Sequence, residues 1–262
     1  MIGFLIKKNF FDLWDNLFRV ALINLGFIAS AAFPVFIPGL LEPVLPLSIG
    51  AMFIGILWCI MYLAAAAYSL GKVSDYSSFG FGDFFRGFKE VWPAGLVMGL
   101  FVFLIWLLFT VIIRFYLGIG SIIGLLLAAL IFWLAVLGIV SFQFLFAVRT
   151  RLDTKMSKVV KKCFIFFFDN PGFCIFVFIY GVISLILSGF LAFLMPGPGG
   201  VLLFLDEALR LRLLKYDWIE ENSATNPDAA KRKNIPWDAL LIDEREKTGT
   251  RTFRSFIFPW KD

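Results

Sequence analysis

The chain has 262 residues, a mean hydropathy of +0.88 and only 16% charged residues. An average soluble domain carries about 25% charged residues, so this composition excludes an ordinary water-soluble domain and an intrinsically disordered chain. The sequence contains no histidine. This removes the commonest general base and metal ligand, and with them His-based triads, zincin-type zinc sites and most haem sites.

The N-terminal region resembles a secretion signal in two respects. Lys7 and Lys8 precede an apolar run, and Ala29-Ser30-Ala31 resembles a cleavage site. However, the region before the apolar run is too long and aromatic, and it contains Asp12 and Asp15. We therefore expect an uncleaved first transmembrane helix.

Five segments have the roughly 20 mainly apolar residues that a membrane-spanning helix needs. A sixth segment, residues 199–214, is short and contains Asp206, Glu207 and Arg210, so it is either a short last span or an amphipathic surface helix. We favour six spans over five, because pairing either acid with Arg210 within the helix would lower the free-energy cost of crossing. The five clear segments are residues 17–37, 44–70, 94–115, 119–148 and 172–195.

The predicted fold is an all-α, polytopic transmembrane helical bundle of residues 1–215, followed by a tail of residues 216–262. Residues 1–205 contain 13 Lys and Arg but 8 Asp and Glu, whereas the rest contains 11 of each. If the N-terminus is cytoplasmic, only Arg114 of the 13 cations falls on the opposite side. This asymmetry predicts a multi-pass membrane protein with its N-terminus in the cytoplasm, and even spans return the tail to the same side.

Prolines and glycines predict two turns on the side opposite to the N-terminus. Residues 195–200 read MPGPGG, and four prolines lie between Pro34 and Pro46. Non-helical backbone at this depth must be shielded by protein or line a wet cavity. The alternatives are a kinked helix end with a tight loop, or a cavity or re-entrant element.

The segment of residues 79–92, FGFGDFFRGFKEVW, predicts an interfacial amphipathic helix that leads into the third span. Asp83 is a candidate N-cap. Phe84, Phe85 and Phe88 recur at helical spacing among charged residues. They either anchor the helix at the lipid headgroups or form a docking surface for a partner protein.

A basic segment between the fourth and fifth spans predicts contact with anionic lipid headgroups. Nucleic-acid binding is not expected, because the segment is short and lies close to the bilayer. Asp169-Asn170-Pro171-Gly172 follows it and predicts a turn or the cap of the fifth span. The candidate headgroup ligands are Arg149, Arg151, Lys155, Lys158, Lys161 and Lys162.

Polar residues within the spans are few. Asn24 and Gln143 predict hydrogen bonds between helices, with substrate contact as the alternative. Ion-coupled carriers usually keep ionisable groups in the membrane, and here only Asp206, Glu207 and Arg210 qualify. This scarcity counts against an autonomous secondary transporter. The three cysteines form neither a disulfide framework nor a zinc motif, so we expect buried thiols, no metal and no cofactor.

The tail contains two apolar groups. Trp237 lies in a predicted short helix that Pro236 begins and Gly249 ends. A second group follows in an aromatic segment. A tail of this length is too short to bury so many aromatic rings alone, so it packs on the protein's own cytoplasmic face, on a partner or on lipid. The aromatic segment contains Phe253, Phe256, Phe258 and Trp260.

Several motifs resemble those of YesL-like membrane proteins. They are Asn24-Leu25-Gly26-Phe27 followed by FPVFIPG at residues 33–39, FFRGFKE at residues 84–90, and the basic segment before Asn170-Pro171. The similarity covers roughly residues 10–215. The chain departs from the family pattern because residues 33–39 lack a threonine and carry Pro38-Gly39 in reversed order.

The resemblance implies a bacterial integral membrane protein associated with a carbohydrate import system. We therefore expect an accessory or assembly subunit of a transport system with a cytoplasmic protein partner. The alternative is an autonomous small-molecule permease or channel-like protein. An enzyme is not expected, because we find no paired acids, nucleophile–base set or phosphate-binding loop.

Overall fold

The computed structural model describes residues 1–223, 235–249 and 251. These residues are helical apart from short connections, which confirms the predicted all-α polytopic fold. A π-helical turn at Leu108–Ile112 joins the fourth and fifth helices into one continuous rod. The helices are α1 (Ile2–Asp15), α2 (Leu17–Leu40), α3 (Leu45–Ser74), α4 (Phe81–Leu107), α5 (Ile113–Gly118), α6 (Ile122–Phe142), α7 (Leu145–Arg151), α8 (Met156–Asp169), α9 (Pro171–Gly189), α10 (Gly197–Ser223), α11 (Trp237–Leu240) and α12 (Ile242–Thr248).

Five helical stretches among the described residues are long and apolar enough to cross a membrane. Five of the six predicted spans therefore meet these criteria of length and hydropathy. Helix α10 contains the predicted sixth span but is not among these stretches, since ionisable side chains interrupt its apolar residues. The five stretches are Leu17–Leu40, Leu45–Ser74, Phe81–Gly118, Ile122–Arg151 and Pro171–Gly189.

Helix α10 lies in the interior of the bundle. It packs on α3, α9, α1 and α2. Its side chains Phe204, Ala208, Leu209 and Leu211 are fully buried. Helix α10 is therefore surrounded by protein rather than by lipid.

The hairpin of α2 and α3 is antiparallel and closely packed. Gly26 lies against the Tyr62 ring, and Gly55 lies against Phe33 and Pro34. A larger residue at either glycine would overlap its neighbour, which explains why small residues stand at this helix contact. The hairpin defines two ends of the bundle. The apolar end carries the loops at residues 41–44 and 119–121, and the basic end carries α1, the loop at residues 75–80 and α7.

The turn between α9 and α10 lies part-way along α2. Asn24, the eighth residue of α2, hydrogen bonds to backbone atoms of Leu194 and Pro196 in this turn and of Gly199 at the start of α10. Helix α2 then continues for 16 more residues, about 24 Å at 1.5 Å per residue. The two predicted turns at residues 38–46 and 195–200 therefore lie at different heights along α2.

Two helices were not predicted from the sequence. Residues of α1 were interpreted as the flank of a span, yet α1 packs on α10 and buries Leu5 and Phe11. Helix α8 occupies the second half of the segment that was interpreted as a basic loop, and it buries Val159, Cys163 and Phe166. Both helices place apolar residues three or four positions apart, which is the pattern of a helix with one buried face.

The predicted interfacial helix and the third span form one continuous helix through Pro93. The predicted N-cap also differs. Gly80 occupies the cap position, and Asp83 is the third helical residue, whose carboxylate accepts a hydrogen bond from the Gly80 N–H at 3.0 Å. Asp83 pairs with Lys72 at 2.6 Å as well, so it fastens the start of α4 to the end of α3.

Candidate functional site

The Asn24 side-chain amide hydrogen bonds to three backbone groups at the α9–α10 turn. Its Nδ2 donates to the Leu194 and Pro196 carbonyls, both at 2.9 Å, and its Oδ1 accepts from the Gly199 N–H at 2.7 Å. The Ser188 hydroxyl oxygen accepts from the Gly197 N–H at 2.9 Å. Unpaired backbone groups are costly where water is absent, so these bonds stabilise the non-helical backbone of this turn.

Gln143 makes a similar contact at the end of α6. Its Nε2 donates to the Val140 carbonyl at 2.7 Å and to the Cys174 carbonyl of α9 at 3.0 Å. Both predicted intramembrane amides thus bind backbone oxygens of other segments. Each amide therefore holds two segments of the bundle together: Asn24 joins α2 to the α9–α10 turn, and Gln143 joins the end of α6 to α9.

An ionic cluster joins α3, α7 and α10 at the basic end. Arg151 donates through Nε to Asp206 Oδ1 at 2.9 Å, and its Nη2 pairs with the second oxygen of the same carboxylate. It also pairs with Asp75 at 3.1 Å. The two-pronged pairing of a guanidinium with a carboxylate is among the stronger ion pairs in proteins. Arg151 is thus bound within the protein, not placed to meet lipid headgroups.

Arg210 extends this cluster toward the tail. Its guanidinium pairs with Asp75, donates to the Ser74 carbonyl at 2.6 Å and pairs with Glu244 at 2.7 Å. The sequence predicted that Arg210 would pair with Asp206 or Glu207 within the helix. This prediction is wrong, because α10 is buried and its side chains at these positions face different neighbouring helices.

Glu244 fixes α12 on the basic end. One of its carboxylate oxygens accepts from the Tyr76 hydroxyl at 2.8 Å, while the other accepts from Arg210. Burial raises the pKa of Tyr76, so this hydroxyl keeps its proton. A further ion pair joins Arg251 to Asp15 at 2.8 Å. The described part of the tail therefore packs on the protein's own surface, one of the three predicted placements.

A second charged group lies between α1 and α10. Lys8 is fully buried, pairs with Asp12 at 2.5 Å and lies 3.8 Å from the centre of the Tyr76 ring. Glu207 is also fully buried beside the side chains of Asp12 and Asn9, and among the described residues neither of its carboxylate oxygens makes a hydrogen bond of ordinary geometry. The same is true of the Asn9 Nδ2.

Protonation in this group is set by burial and by three charges. Burial raises the pKa of Glu207 well above its usual value; the Lys8 charge opposes that shift and Asp12 adds to it. Burial lowers the pKa of Lys8, but attraction to Glu207 and Asp12 outweighs it and leaves the pKa raised. Lys8 therefore keeps its proton, and the Glu207 carboxyl favours its protonated form more strongly than an exposed glutamate does.

A third group fastens the α8–α9 junction to α10. Lys215 pairs with Asp169 at 3.1 Å and donates to Asn170 Oδ1 at 3.2 Å. The Tyr216 hydroxyl donates to the Asp169 carboxylate at 2.5 Å. The predicted turn at residues 169–172 is present, with α8 ending at Asp169 and α9 beginning at Pro171.

The remaining basic residues of the segment differ in their surroundings. Arg149 donates to the Glu90 carbonyl at 2.6 Å, and Lys162 pairs with Asp153 at 3.3 Å. Lys155, Lys158 and Lys161 are exposed. These three cations at the start of α8 are the ones whose exposure fits contact with anionic headgroups.

The predicted docking aromatics are only partly exposed. Phe84 packs on Tyr62 with ring centres 5.0 Å apart, and Phe88 stacks on Trp58 at 5.7 Å. Phe85 is exposed. Trp237 is half-buried beside Arg212. The other four, Phe253, Phe256, Phe258 and Trp260, lie outside the described residues.

The spaces that the described residues enclose or line differ in size and position. A void of about 10 Å³ adjoins Asp206 and Gln143, which is about the space of one water molecule. Larger spaces of about 380–510 Å³ are grooves open at the lipid-facing surface. Among residues 1–223, 235–249 and 251, no group of three Cys, Asp or Glu side chains is placed to hold a metal ion.

Sequence reasoning missed Lys8, Asp12, Asp75, Tyr76 and Glu244 as members of the charged groups. The signal for α1 was present, since Lys8 and Asp12 are four residues apart and lie among apolar residues at helical spacing. The contacts of Asp75 and Tyr76 with α10 and α12 join residues 130 to 170 positions apart. No local pattern indicates such contacts.

Comparisons with protein families, curated proteins and solved structures gave no significant match. The resemblance to YesL-like proteins therefore stays a prediction from short motifs.

Proposed function

We propose that the chain is an accessory or assembly subunit of a membrane transport system, with its basic end in the cytoplasm of a bacterial cell. The observation that carries the proposal is the fastening of the tail. Arg210 and Tyr76 hold Glu244, and Arg251 pairs with Asp15. Eleven residues follow Arg251, and four of them are the aromatic residues that were predicted to dock a partner.

The ion pairs Arg210–Glu244 and Arg251–Asp15 fix the described part of the tail on the basic end. Arg251 lies beside α1 at the basic end, where it pairs with Asp15 and packs on the Phe11 ring. The ion pairs that join α7, α10 and α12 support a scaffold whose charged groups hold helices together. The resemblance to YesL-like proteins adds a carbohydrate importer as the transport system in question.

The proposal is tested by purifying the full chain in mild detergent from its native cells and identifying importer subunits that accompany it. We expect these subunits with the wild type and a loss of at least about tenfold when Phe253, Phe256, Phe258 and Trp260 are all replaced by serine. A matched variant, T252A/S255A, should retain them. Absence of importer subunits with the wild type, or equal recovery with the serine variant, contradicts the proposal.

One observation favours the alternative, an autonomous permease. Glu207 is a buried carboxyl group without a hydrogen bond of ordinary geometry among the described residues, and such groups carry protons in coupled carriers. The test is uptake of labelled monosaccharides and disaccharides into liposomes that contain the purified chain alone, under an imposed pH gradient. Uptake that is lost in E207Q and kept in E246Q supports the permease, and absence of uptake excludes it for these solutes.

A further inference from the structure

A groove of about 380 Å³ lies on the lipid-facing surface near the basic end. One wall is α2, the other is formed by the loop before α4 and its first turns, and Tyr62 of α3 forms part of the floor. The Tyr62 hydroxyl donates to the Ile23 carbonyl at 2.9 Å, so the floor is fixed. The groove therefore has a defined shape between packed helices.

The lining of this groove is apolar except at one position. Leu22, Gly26, Phe81 and Phe85 line it, and Arg19 lies among them. Arg19 donates to the Asn16 side chain at 3.1 Å and has no carboxylate partner among the described residues. Its charge is thus available to a ligand.

The order of the residues along α2 sets the direction of the groove. Arg19 is in the first turn of α2 at the basic end, and Gly26 is seven residues further, about 10 Å deeper. Leu22, Phe81 and Phe85 are each more than half exposed, so the groove opens toward the lipid. A cation at the mouth and an apolar channel below it match a lipid phosphate and the first part of an acyl chain.

We propose that this groove binds one anionic phospholipid, with its phosphate on Arg19 and an acyl chain between α2 and the start of α4. A lipid fits this groove better than a free phosphate ion, because the groove opens sideways toward the hydrocarbon of the bilayer, which a free phosphate ion does not enter. The site differs from the exposed lysines of α8, which present charge without an apolar groove. The proposal does not depend on the proposed accessory function.

The experiment is native mass spectrometry of the full chain in mild detergent, with phosphatidylglycerol and phosphatidylcholine of identical acyl chains added at equal concentration. We expect one retained phosphatidylglycerol and a preference of about tenfold over phosphatidylcholine, which R19Q abolishes. The matched charge control K161Q should keep the preference, and R19K should keep part of it.

A second pair of variants tests the apolar part of the site. L22W fills the groove and should remove the retained lipid, whereas L25W on the same helix should not. Leu22 and Leu25 are 56% and 53% exposed, so the two changes are alike except for the groove. Equal retention of both lipids, equal effects of R19Q and K161Q, or equal effects of L22W and L25W each overturns the proposal, since such results indicate only non-specific annular lipid.

Discussion

At the basic end, α1, α3, α7, α10 and α12 meet through ion pairs and hydrogen bonds, whereas at the apolar end, α5 and α6 meet mainly through apolar side chains. In the most apolar 18-residue stretch of residues 81–118, no residue is buried within the protein. In the most apolar 18-residue stretch of α3, 33% of the residues are buried. Lipid is as apolar as the side chains of α5 and α6, so contact between them gains little from leaving lipid. The arrangement of the helices is therefore specified chiefly at the basic end.

The largest effect is expected where one partner of a buried ion pair is removed. R151M leaves the Asp206 carboxylate buried without its main partner, which costs about 3–5 kcal/mol in the free energy of unfolding. Unfolding in detergent micelles, followed by circular dichroism, measures this loss. The double variant R151M/D206L should be more stable than R151M, because no unpaired charge remains.

The control for this prediction is K162M. Its partner Asp153 and the lysine lie near the surface, so removing that pair should cost about 0–1 kcal/mol. Equal losses for R151M and K162M would show that burial does not distinguish the two pairs.

The next largest loss in the free energy of unfolding is expected when Asn24 is replaced. N24L removes three hydrogen bonds and leaves the Leu194 and Pro196 carbonyls and the Gly199 N–H unsatisfied. We expect a loss of about 2–4 kcal/mol in the free energy of unfolding. S30L on the same helix serves as the control, and a loss as large in S30L would refute the assigned role of Asn24.

A smaller and local effect is expected for the tail. E244Q keeps the shape of the side chain but removes its charge, so the pairing with Arg210 weakens by about 1–2 kcal/mol. Hydrogen exchange of α12 should accelerate by about tenfold, while exchange of α9 stays unchanged. E246Q, on the same helix but exposed, should leave exchange of α12 at the wild-type rate.

The pH dependence of stability tests the protonation of Glu207. Because burial raises its pKa in the folded state, folding takes up a proton between about pH 4.5 and the raised pKa, and stability falls as pH rises through this window. E207Q cannot lose a proton, so its melting temperature should fall less than that of the wild type from about pH 5 to about pH 8. Parallel curves for the two proteins would contradict the assigned protonation, and E246Q should follow the wild type.

The smallest effect is expected at the apolar end. Leu126 of α6 is exposed to lipid, so L126A should change the free energy of unfolding by about 0.5 kcal/mol or less. Leu209 of α10 is fully buried, and L209A should cost about 2–5 kcal/mol. Similar losses in the free energy of unfolding for L126A and L209A would contradict the view that the helix arrangement is specified chiefly at the basic end.

The long apolar helices were predictable because each has enough consecutive apolar residues to cross a bilayer. The observed ends of these helices differ from the predicted ends by only a few residues. The exception is α4, in which the predicted amphipathic helix and the predicted span form one helix. The sequence also drew attention to Asn24, Asp206 and Glu207, because a polar group in an apolar segment must find a partner. It did not identify those partners.

The partners were hidden because they lie far apart in the sequence. Arg151 contacts Asp206 across 55 positions, and Asn24 contacts Gly199 across 175. Hydropathy also treats every span as lipid-facing, so it placed α10 as a short membrane crossing. Asp206 and Arg210 of α10 are instead paired with Arg151 of α7, with Asp75 after α3 and with Glu244 of α12, which only the tertiary structure reveals.

The depth of the α9–α10 turn distinguishes this arrangement from six full crossings most directly. Spin labels attached to single cysteines at Leu194, Leu25 and Glu42, in a background without native cysteines, report depth in liposomes through their collisions with oxygen and with a water-soluble nickel chelate. We predict that the label at Leu194 has the depth of the label at Leu25 and is more shielded from the chelate than the label at Glu42. A label at Leu194 as accessible to the chelate as that at Glu42 would contradict the placement of the turn beside Asn24.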